Sequence, residues 1–129
     1  MLIHAPVSWG ELLDKITILE IKAERISDPG KSANVAKELA VLCQTRDDAG
    51  IDLSPIERLV TNLREVNETL WQIEDDIREC ERLDRFDARF VDLARAVYKT
   101  NDRRAALKRE INDALGSDLV EEKSYASYE

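Results

Sequence analysis

One long apolar repeat constrains the fold of this chain more than any other feature. Apolar residues alternate at spacings of three and four along residues 56–80, at Ile56, Leu59, Leu63, Val66, Leu70, Ile73, Ile77 and Cys80. A repeat sustained over more than three heptads is typical of a coiled-coil or long bundle helix. We therefore predict a helix over residues 55–83 that buries this seam against another helix.

The partner helix is expected to come next in the sequence. A shorter version of the same pattern lies in residues 88–115, at Phe90, Leu93, Ala94, Val97, Leu107, Ile111 and Leu115. The intervening turn, 84–87, is too short for anything but an antiparallel pair. Each helix has about 28 residues and should be about 40 Å long at 1.5 Å rise per residue.

Two shorter helices are predicted before the hairpin, over residues 8–26 and 32–49. Ser8 and Glu11 fit a capping box for the first, and the run from Ser27 to Gly30 predicts a break after it. The first helix is apolar on more than one face, so it requires neighbours on two sides or a subunit partner.

The fold class predicted is thus all-α, a four-helix, bundle-like single domain spanning residues 1–129 and dominated by the long hairpin. Gly50 and Gly116 are expected to end the second and fourth helices in the left-handed conformation. Ser54 is expected to cap the third helix, and Asp87 the fourth. Residues 117–129 have no clear period and are expected to be a flexible tail or to dock on a partner.

Composition excludes several classes of function. The net charge of −8 argues against nucleic-acid binding and against an anionic membrane surface. No apolar run approaches the roughly 20 residues that span a bilayer, and the N-terminus lacks the basic start of a signal peptide. Cys43 and Cys80 are typical of small core residues in a reducing cytoplasm. The cysteines therefore indicate a cytoplasmic protein. Because His4 is the single histidine, we expect no metal, and no other cofactor is expected.

A polar interruption of the hairpin seam is the candidate site. Thr100, Asn101 and Arg104 stand where the apolar seam of the fourth helix should continue. In an antiparallel hairpin, Asn101 lies roughly opposite Trp71, and Arg104 opposite Asn67. Polar groups of both helices should therefore meet at one level, and the candidate residues are Asn67, Trp71, Glu74, Asp75, Arg78, Asn101 and Arg104.

Two interpretations of this layer remain open. A buried polar layer is costly unless its members satisfy one another. In the first interpretation Glu74 pairs with Arg104 or Lys99, and the layer fixes the register of the hairpin. In the second, the layer lines a pocket for a small anionic or polar ligand.

The two long helices also carry opposite charge blocks that should form solvated cross-helix pairs. The acidic block is Glu74, Asp75, Asp76, Glu79 and Glu81, and the basic block is Arg95, Lys99, Arg103, Arg104, Lys108 and Arg109.

Two weaker candidate sites use other charged residues. Carboxylates at Glu68, Glu74, Asp75 and Glu79 could hold Mg²⁺ or Mn²⁺ as in all-α phosphohydrolases, although the paired Glu-Glu-x-x-Glu signature is missing. In the first helix, charged and polar residues could bind a dicarboxylate, or could be solvated or interface groups; these residues are Asp14, Lys15, Thr17 and Lys22.

Three segments carry a resemblance to known families. Residues 5–22, 67–78 and 100–111 resemble an uncharacterised family of small bacterial proteins, a domain of unknown function. The hairpin pattern Asn67-x-x-Leu70-Trp71-x-x-Glu74-Asp75-x-x-Arg78 with Asn101-x-x-Arg104 is similar to a second family of unknown function. Such families often sit beside glycosyltransferase genes, so the resemblance implies a link to cell-surface polysaccharide synthesis.

The expected function is therefore a non-enzymatic, homodimeric helical scaffold or accessory protein with a protein partner. The alternatives are a binding or catalytic site for a phosphorylated or carboxylated small molecule at the polar layer, and a metal-dependent all-α phosphohydrolase.

Overall fold

The computed structural model describes residues 1–128 as an all-helical domain. Four α-helices follow one another: α1 (Trp9–Arg25), α2 (Pro29–Asp48), α3 (Glu57–Arg82) and α4 (Ala88–Leu115). A short 3₁₀ turn, Ser54–Ile56, leads into α3, and the described residues include no strand. The predicted all-α class is confirmed. Glu129, the end of the predicted tail, lies outside the described residues.

Local capping sets the helix boundaries. The Ser8 hydroxyl accepts a hydrogen bond from the Glu11 amide at 3.1 Å, and Asp87 accepts one from the Phe90 amide at 3.4 Å. Gly116 ends α4 with φ 62°, a left-handed conformation that costs glycine little because it has no Cβ. These three residues act as the sequence predicted.

The break predicted before α2 is present but shorter than expected. Asp28 caps this helix by accepting a hydrogen bond from the Lys31 amide at 2.9 Å, so α2 begins at Pro29, three residues earlier than expected. Proline is favoured in the first turn, where its missing N–H costs nothing and its φ is already helical. The Pro-Gly pair therefore opens a helix here.

The predicted cap of α3 was wrong. Ser54 makes no capping hydrogen bond, and Ser54–Ile56 form the 3₁₀ turn instead. The Ser54 amide donates to the Asp52 carboxylate at 3.0 Å, which fixes the entry of the chain. The helix α3 then begins at Glu57 without a side-chain cap.

The helix α1 lies along the α3–α4 hairpin and packs against the other three helices. Its Gly10 amide donates to Asn112 at 2.6 Å, and one helical turn later Asp14 contacts Arg104. Along this contact the residue numbers increase in α1 and decrease in α4. The helix α1 therefore runs antiparallel to α4 and parallel to α3. The helix α2 also packs against α1, so α1 has neighbours besides the hairpin, which explains why it is apolar on more than one face.

The core lies where these four helices meet. Its buried members come from α1, the 3₁₀ turn, α3 and α4, and α2 adds Leu39, Leu42 and Cys43 at the margin. The buried core residues are Leu12, Leu13, Ile16, Ile56, Leu63 and Ile111.

Beyond the end of α1, the hairpin continues as two helices alone. We call residues 74–99 the distal hairpin. Among them Cys80 is the one residue that is buried, and the seam residues Ile77, Phe90, Leu93 and Val97 are only half-buried. The distal hairpin thus lacks the cover that α1 gives to the rest of the seam.

Residues 117–128 follow α4 outside any helix and contact the rest of the chain. The Ser117 hydroxyl accepts a hydrogen bond from the Trp9 amide at 3.3 Å, and the Tyr128 hydroxyl donates to Asp102 at 2.8 Å. These contacts lie within the segment for which the sequence predicted a flexible or partner-docked tail. No helix in the described chain has the length and apolarity that crossing a bilayer requires.

The close approach of α1 to α4 predicts the effect of one substitution. A Cβ at Gly10 would lie 2.5 Å from the Lys108 carbonyl oxygen, so Gly10→Ala should lower the free energy of unfolding by about 1–3 kcal/mol, as overpacking does. Urea denaturation followed by circular dichroism measures this change.

Gly30→Ala is the matched control for that prediction. The nearest atom to a Cβ at Gly30 is a carboxylate oxygen of Asp28 at 3.4 Å, so this variant should be neutral or slightly stabilising. Equal destabilisation by both substitutions would contradict the contact between α1 and α4.

Candidate functional site

A buried ion pair joins α1 to α4. The Asp14 carboxylate is fully buried, at 0% exposure, and it receives two hydrogen bonds from Arg104. The Nε atom lies 2.9 Å from Oδ1 and Nη2 lies 2.5 Å from Oδ2. This bidentate geometry is the strongest that arginine and a carboxylate form.

Two further side chains complete the network around Asp14. The Asn67 amide on α3 donates to Asp14 Oδ1 at 3.0 Å and to Thr17 Oγ1 at 3.0 Å. The Thr17 hydroxyl in turn donates to the Asp14 carbonyl at 2.8 Å. Within the part of the chain that the structure describes, no buried side-chain nitrogen or oxygen lacks a partner. The network therefore ties α1 to both helices of the hairpin.

Electrostatic interactions within this layer stabilise the charged form of Arg104. The hydrogen bonds to Asp14 raise the pKa of the Arg104 guanidinium above its ordinary value, although its partial burial acts in the opposite direction. Burying a carboxylate is costly unless a cation and hydrogen bonds accompany it, and Asp14 has both. The layer is satisfied by its own members.

The pairing predicted from the sequence was wrong, although Asn67 and Arg104 do meet at one level. Glu74 pairs with Arg78, four residues away on the exposed surface of α3, at 3.3 Å. Arg104 pairs with Asp14 instead. The reason is that α1 inserts its own carboxylate into the layer.

Five of the seven predicted site residues line one cavity beside the network. We call this space, of about 310 Å³, the Trp71 cavity; its lining is Ile18, Lys22, Asn67, Leu70, Trp71, Glu74, Asp75 and Arg104. The Arg25 guanidinium lies 5.8 Å from the centroid of the Trp71 ring. Arg78 is exposed and Asn101 half-buried, and neither lines the cavity.

A second cavity lies between α4 and the segment after it. We call it the basic cavity; its volume is about 230 Å³, and its lining is Arg104, Ala105, Lys108, Arg109, Asn112, Glu121 and Lys123. Lys108 also pairs with Glu11 of α1 at 2.6 Å. Arg104 lines both cavities.

The Glu121 carboxylate is held at this second cavity by three groups. The Ser8 hydroxyl donates to it at 2.6 Å, the Asn112 amide donates at 3.1 Å, and Lys108 Nζ lies 3.9 Å away. Burial alone would raise the pKa of this carboxyl, but these groups together hold it below its ordinary value of 4.5. Glu121 is therefore an anion near neutral pH.

Sequence reasoning considered Asp14 and Thr17 only for a weaker dicarboxylate site or as solvated or interface groups, and it missed Asn112 and Glu121. A signal was available for the first two, because they stand among apolar residues on a helix without a clear polar face. A helix that is apolar all round is buried, so its few polar residues have to be buried and paired. No comparable pattern singles out Asn112 and Glu121.

Most charges on the hairpin pair differently from the predicted cross-helix pattern. Among the described residues, one pair joins α3 to α4, between Asp76 and Arg89 at 3.6 Å. On α3, Arg82 pairs with Glu79 of the same helix. On α4, Lys108 reaches α1 and Arg109 reaches Glu122.

Three of the four carboxylates considered for a metal site, all except Asp75, are each held by an arginine of their own helix. Glu68 pairs with Arg64 at 3.2 Å, and Glu79 and Glu74 pair with arginines as described above. In residues 1–128, no three histidine, cysteine, aspartate or glutamate side chains are grouped so that they could hold a metal ion.

Comparison with known proteins identifies the class and the family. The structure is that of a small all-helical domain whose polar layer fastens one helix to a hairpin. Residues 3–128 match the model of a family of unknown function (DUF6165), and the chain belongs to this family. The sequence prediction of a domain of unknown function is confirmed. Neither the curated proteins nor the solved structures give a match.

The geometry of the buried pair predicts an asymmetric response to mutation. Arg104→Met should cost about 3–5 kcal/mol of unfolding free energy, because it leaves the buried Asp14 charge unpaired. Asp14→Asn should cost less, since the Arg104 side chain is 30% exposed and can be solvated.

A double-mutant cycle by urea denaturation measures both effects and their coupling. The combined Asp14→Asn/Arg104→Met variant should be more stable than Arg104→Met alone. If the two single costs simply add, the pair is not coupled and the network described above is not formed.

Proposed function

We propose that this protein is a non-enzymatic helical scaffold that forms a homodimer through its distal hairpin. The observation that carries the proposal is the uncovered seam beyond α1. Leu63, Val66 and Ile73 are buried under α1 or beside it, whereas only Cys80 is buried across residues 74–99. A helical layer needs a second layer to bury its apolar face.

Exposed apolar side chains extend this uncovered face. Leu83 and Phe86 at the turn are 41% and 53% exposed, and Val91 and Tyr98 on α4 are 50% and 43% exposed. Val91 and Tyr98 are seven residues apart and so lie on one face of α4. Large apolar side chains left exposed near an incompletely buried seam are typical of an interaction surface.

The charges of α3 and α4 favour a second copy of this chain as the partner that covers the distal hairpin. Residues 74–82 carry five acidic and two basic side chains, and residues 88–99 carry three basic and one acidic side chain. In the two-fold arrangement that places each α3 against the α4 of the partner, opposite net charges meet across the interface. Two such hairpins form a four-helix bundle.

The scaffold would act by presenting its remaining surface to a protein partner. The resemblance of the hairpin pattern to families near glycosyltransferase genes extends the proposal to an accessory role in cell-surface polysaccharide synthesis. The cysteines Cys43 and Cys80 are both free thiols, which supports the proposed cytoplasmic location.

Replacing Val91 by glutamate tests the dimer. Val91 lies in the first turn of α4, where a negative charge suits the helix dipole, so the fold should persist while the interface acquires a buried charge. Sedimentation velocity at micromolar concentration should give twice the chain mass of 14.7 kDa for the wild type and the single-chain mass for Val91→Glu.

Ile51→Glu is the control because Ile51 is similarly exposed, at 43%, but lies in the loop before α3. This variant should remain dimeric. A wild type that sediments as a monomer, or equal dissociation of both variants, would contradict the proposed interface.

A second function is supported by the Trp71 cavity. Its lining combines apolar and aromatic residues with the cations of Lys22 and Arg104 and the carboxylates of Glu74 and Asp75, and such mixed linings are common in small-molecule sites. A guanidinium has five N–H donors, and Asp14 engages two of those of Arg104. We propose that the cavity binds a small carboxylated or phosphorylated molecule with an apolar face.

Ligand binding at the Trp71 cavity can be read from Trp71 itself. In a Trp9→Phe background, Trp71 is the single tryptophan, and UDP-glucose or citrate should change its fluorescence and raise the melting temperature. Lys22→Met should weaken binding about tenfold, as loss of a charge-assisted contact does. Lys123→Met, in the basic cavity, should leave the affinity for both compounds unchanged. If neither compound changes the fluorescence or the melting temperature, this second function is contradicted.

A further inference from the structure

The basic cavity stands apart from the charge of the whole chain. The protein has a net charge of −8, yet four of the seven residues that line this cavity are cationic and one is anionic. Clustered cations in a cleft create a local positive potential whatever the net charge of the molecule. Carboxylates outside the lining offset part of this potential, and Glu122, which pairs with Arg109 at 3.0 Å, is one of them; the side chains that an anion would meet inside the cavity are nevertheless mainly cationic.

Carboxylates outside the cavity hold the cations in place. Arg104 is bound by Asp14 and Lys108 by Glu11 at 2.6 Å, and neither carboxylate is part of the lining. Arg104 still has free N–H donors, as described above for the Trp71 cavity. Arg104 and Lys108 are therefore positioned before any ligand arrives, which lowers the entropic cost of binding.

Glu121 marks the place of an anion in this cavity. Its carboxylate receives hydrogen bonds from the Ser8 hydroxyl at 2.6 Å and from the Asn112 amide at 3.1 Å. A hydroxyl, an amide and an ammonium are also donors that bind phosphate oxygens in proteins. Asn112 is 1% exposed, so its amide is fixed in the wall.

The carboxylate belongs to a segment that a ligand could displace. Glu121 lies in the irregular chain that follows α4 and is exposed as a residue. A ligand could displace the Glu121 carboxylate without moving any helix of the domain. An incoming anion would find the same donors that Glu121 uses.

We propose that the basic cavity is a binding site for a small phosphate-bearing anion, which displaces the Glu121 carboxylate from Ser8 and Asn112. A volume of about 230 Å³ lies below the roughly 300–1,000 Å³ of drug-sized sites. That size suits inorganic phosphate or a short phosphate monoester. The net negative charge of the chain disfavours nucleic acid and anionic membranes as the source of the phosphate.

Calorimetric titration of the full chain with inorganic phosphate and with glycerol 3-phosphate tests this proposal. Both should bind the wild type. Glu121→Gln should tighten binding about tenfold, because it removes the competing charge while keeping a side chain of the same shape. A gain in affinity is not expected from a variant that merely disturbs the fold.

Lys123→Met and Arg82→Met form the matched pair for this titration. Both remove one positive charge, but Lys123 lines the cavity whereas Arg82 pairs with Glu79 on the exposed surface of α3. Lys123→Met should weaken phosphate binding about tenfold, and Arg82→Met should not change it. Lys22→Met, in the Trp71 cavity, should not change it either.

Three results would overturn the proposal. One is the absence of phosphate binding by both the wild type and Glu121→Gln at about 10 mM ligand, where a site of useful affinity would be filled. Another is equal weakening by Lys123→Met and Arg82→Met, which would indicate a non-specific charge effect. The third is binding to vesicles that contain phosphatidic acid without binding to either soluble compound. None of these outcomes depends on whether the protein is a dimer.

Discussion

The buried carboxylate of Asp14 is the constraint on which the rest of the structure depends. A charge at 0% exposure is tolerated only when a cation and hydrogen bonds compensate for the lost solvation. Arg104 from α4 and Asn67 from α3 supply that compensation. Any arrangement that moved α1 along the hairpin would leave the carboxylate unpaired, so this layer fixes the position of α1.

Because the layer places α1, it also decides which part of the hairpin is covered. The apolar core forms at the end of the hairpin that α1 covers. There the α1 residues Leu12, Leu13 and Ile16 pack on Ile56, Leu63 and Ile111. The distal hairpin extends past this cover with its seam half-exposed. The proposed dimer interface is therefore a consequence of where the ion pair holds α1, and the charge contrast between the two helices suits a two-fold pairing.

Arg104 also links the structural layer to the two cavities. Its bidentate bond to Asp14 fixes the guanidinium plane, and the same side chain lines both the Trp71 cavity and the basic cavity. A cation held in this way serves both fold and recognition, because a rigid donor loses little entropy when a ligand binds. In the basic cavity the chain's own Glu121 already occupies an anion position.

The sequence by itself determined the local structure: the helices, the long antiparallel hairpin, the caps at Ser8, Asp87 and Gly116, and the level at which Asn67 meets Arg104. These features depend on apolar spacing, turn length and capping chemistry, which neighbouring residues specify. The tertiary structure decided the partner of Arg104, the burial of Asp14, and the contact of Glu121 with Ser8. These join residues 53 to 113 positions apart, and no local pattern states which helix fills a given groove. An arginine on a seam pairs with whichever carboxylate the packing of a third helix brings to it.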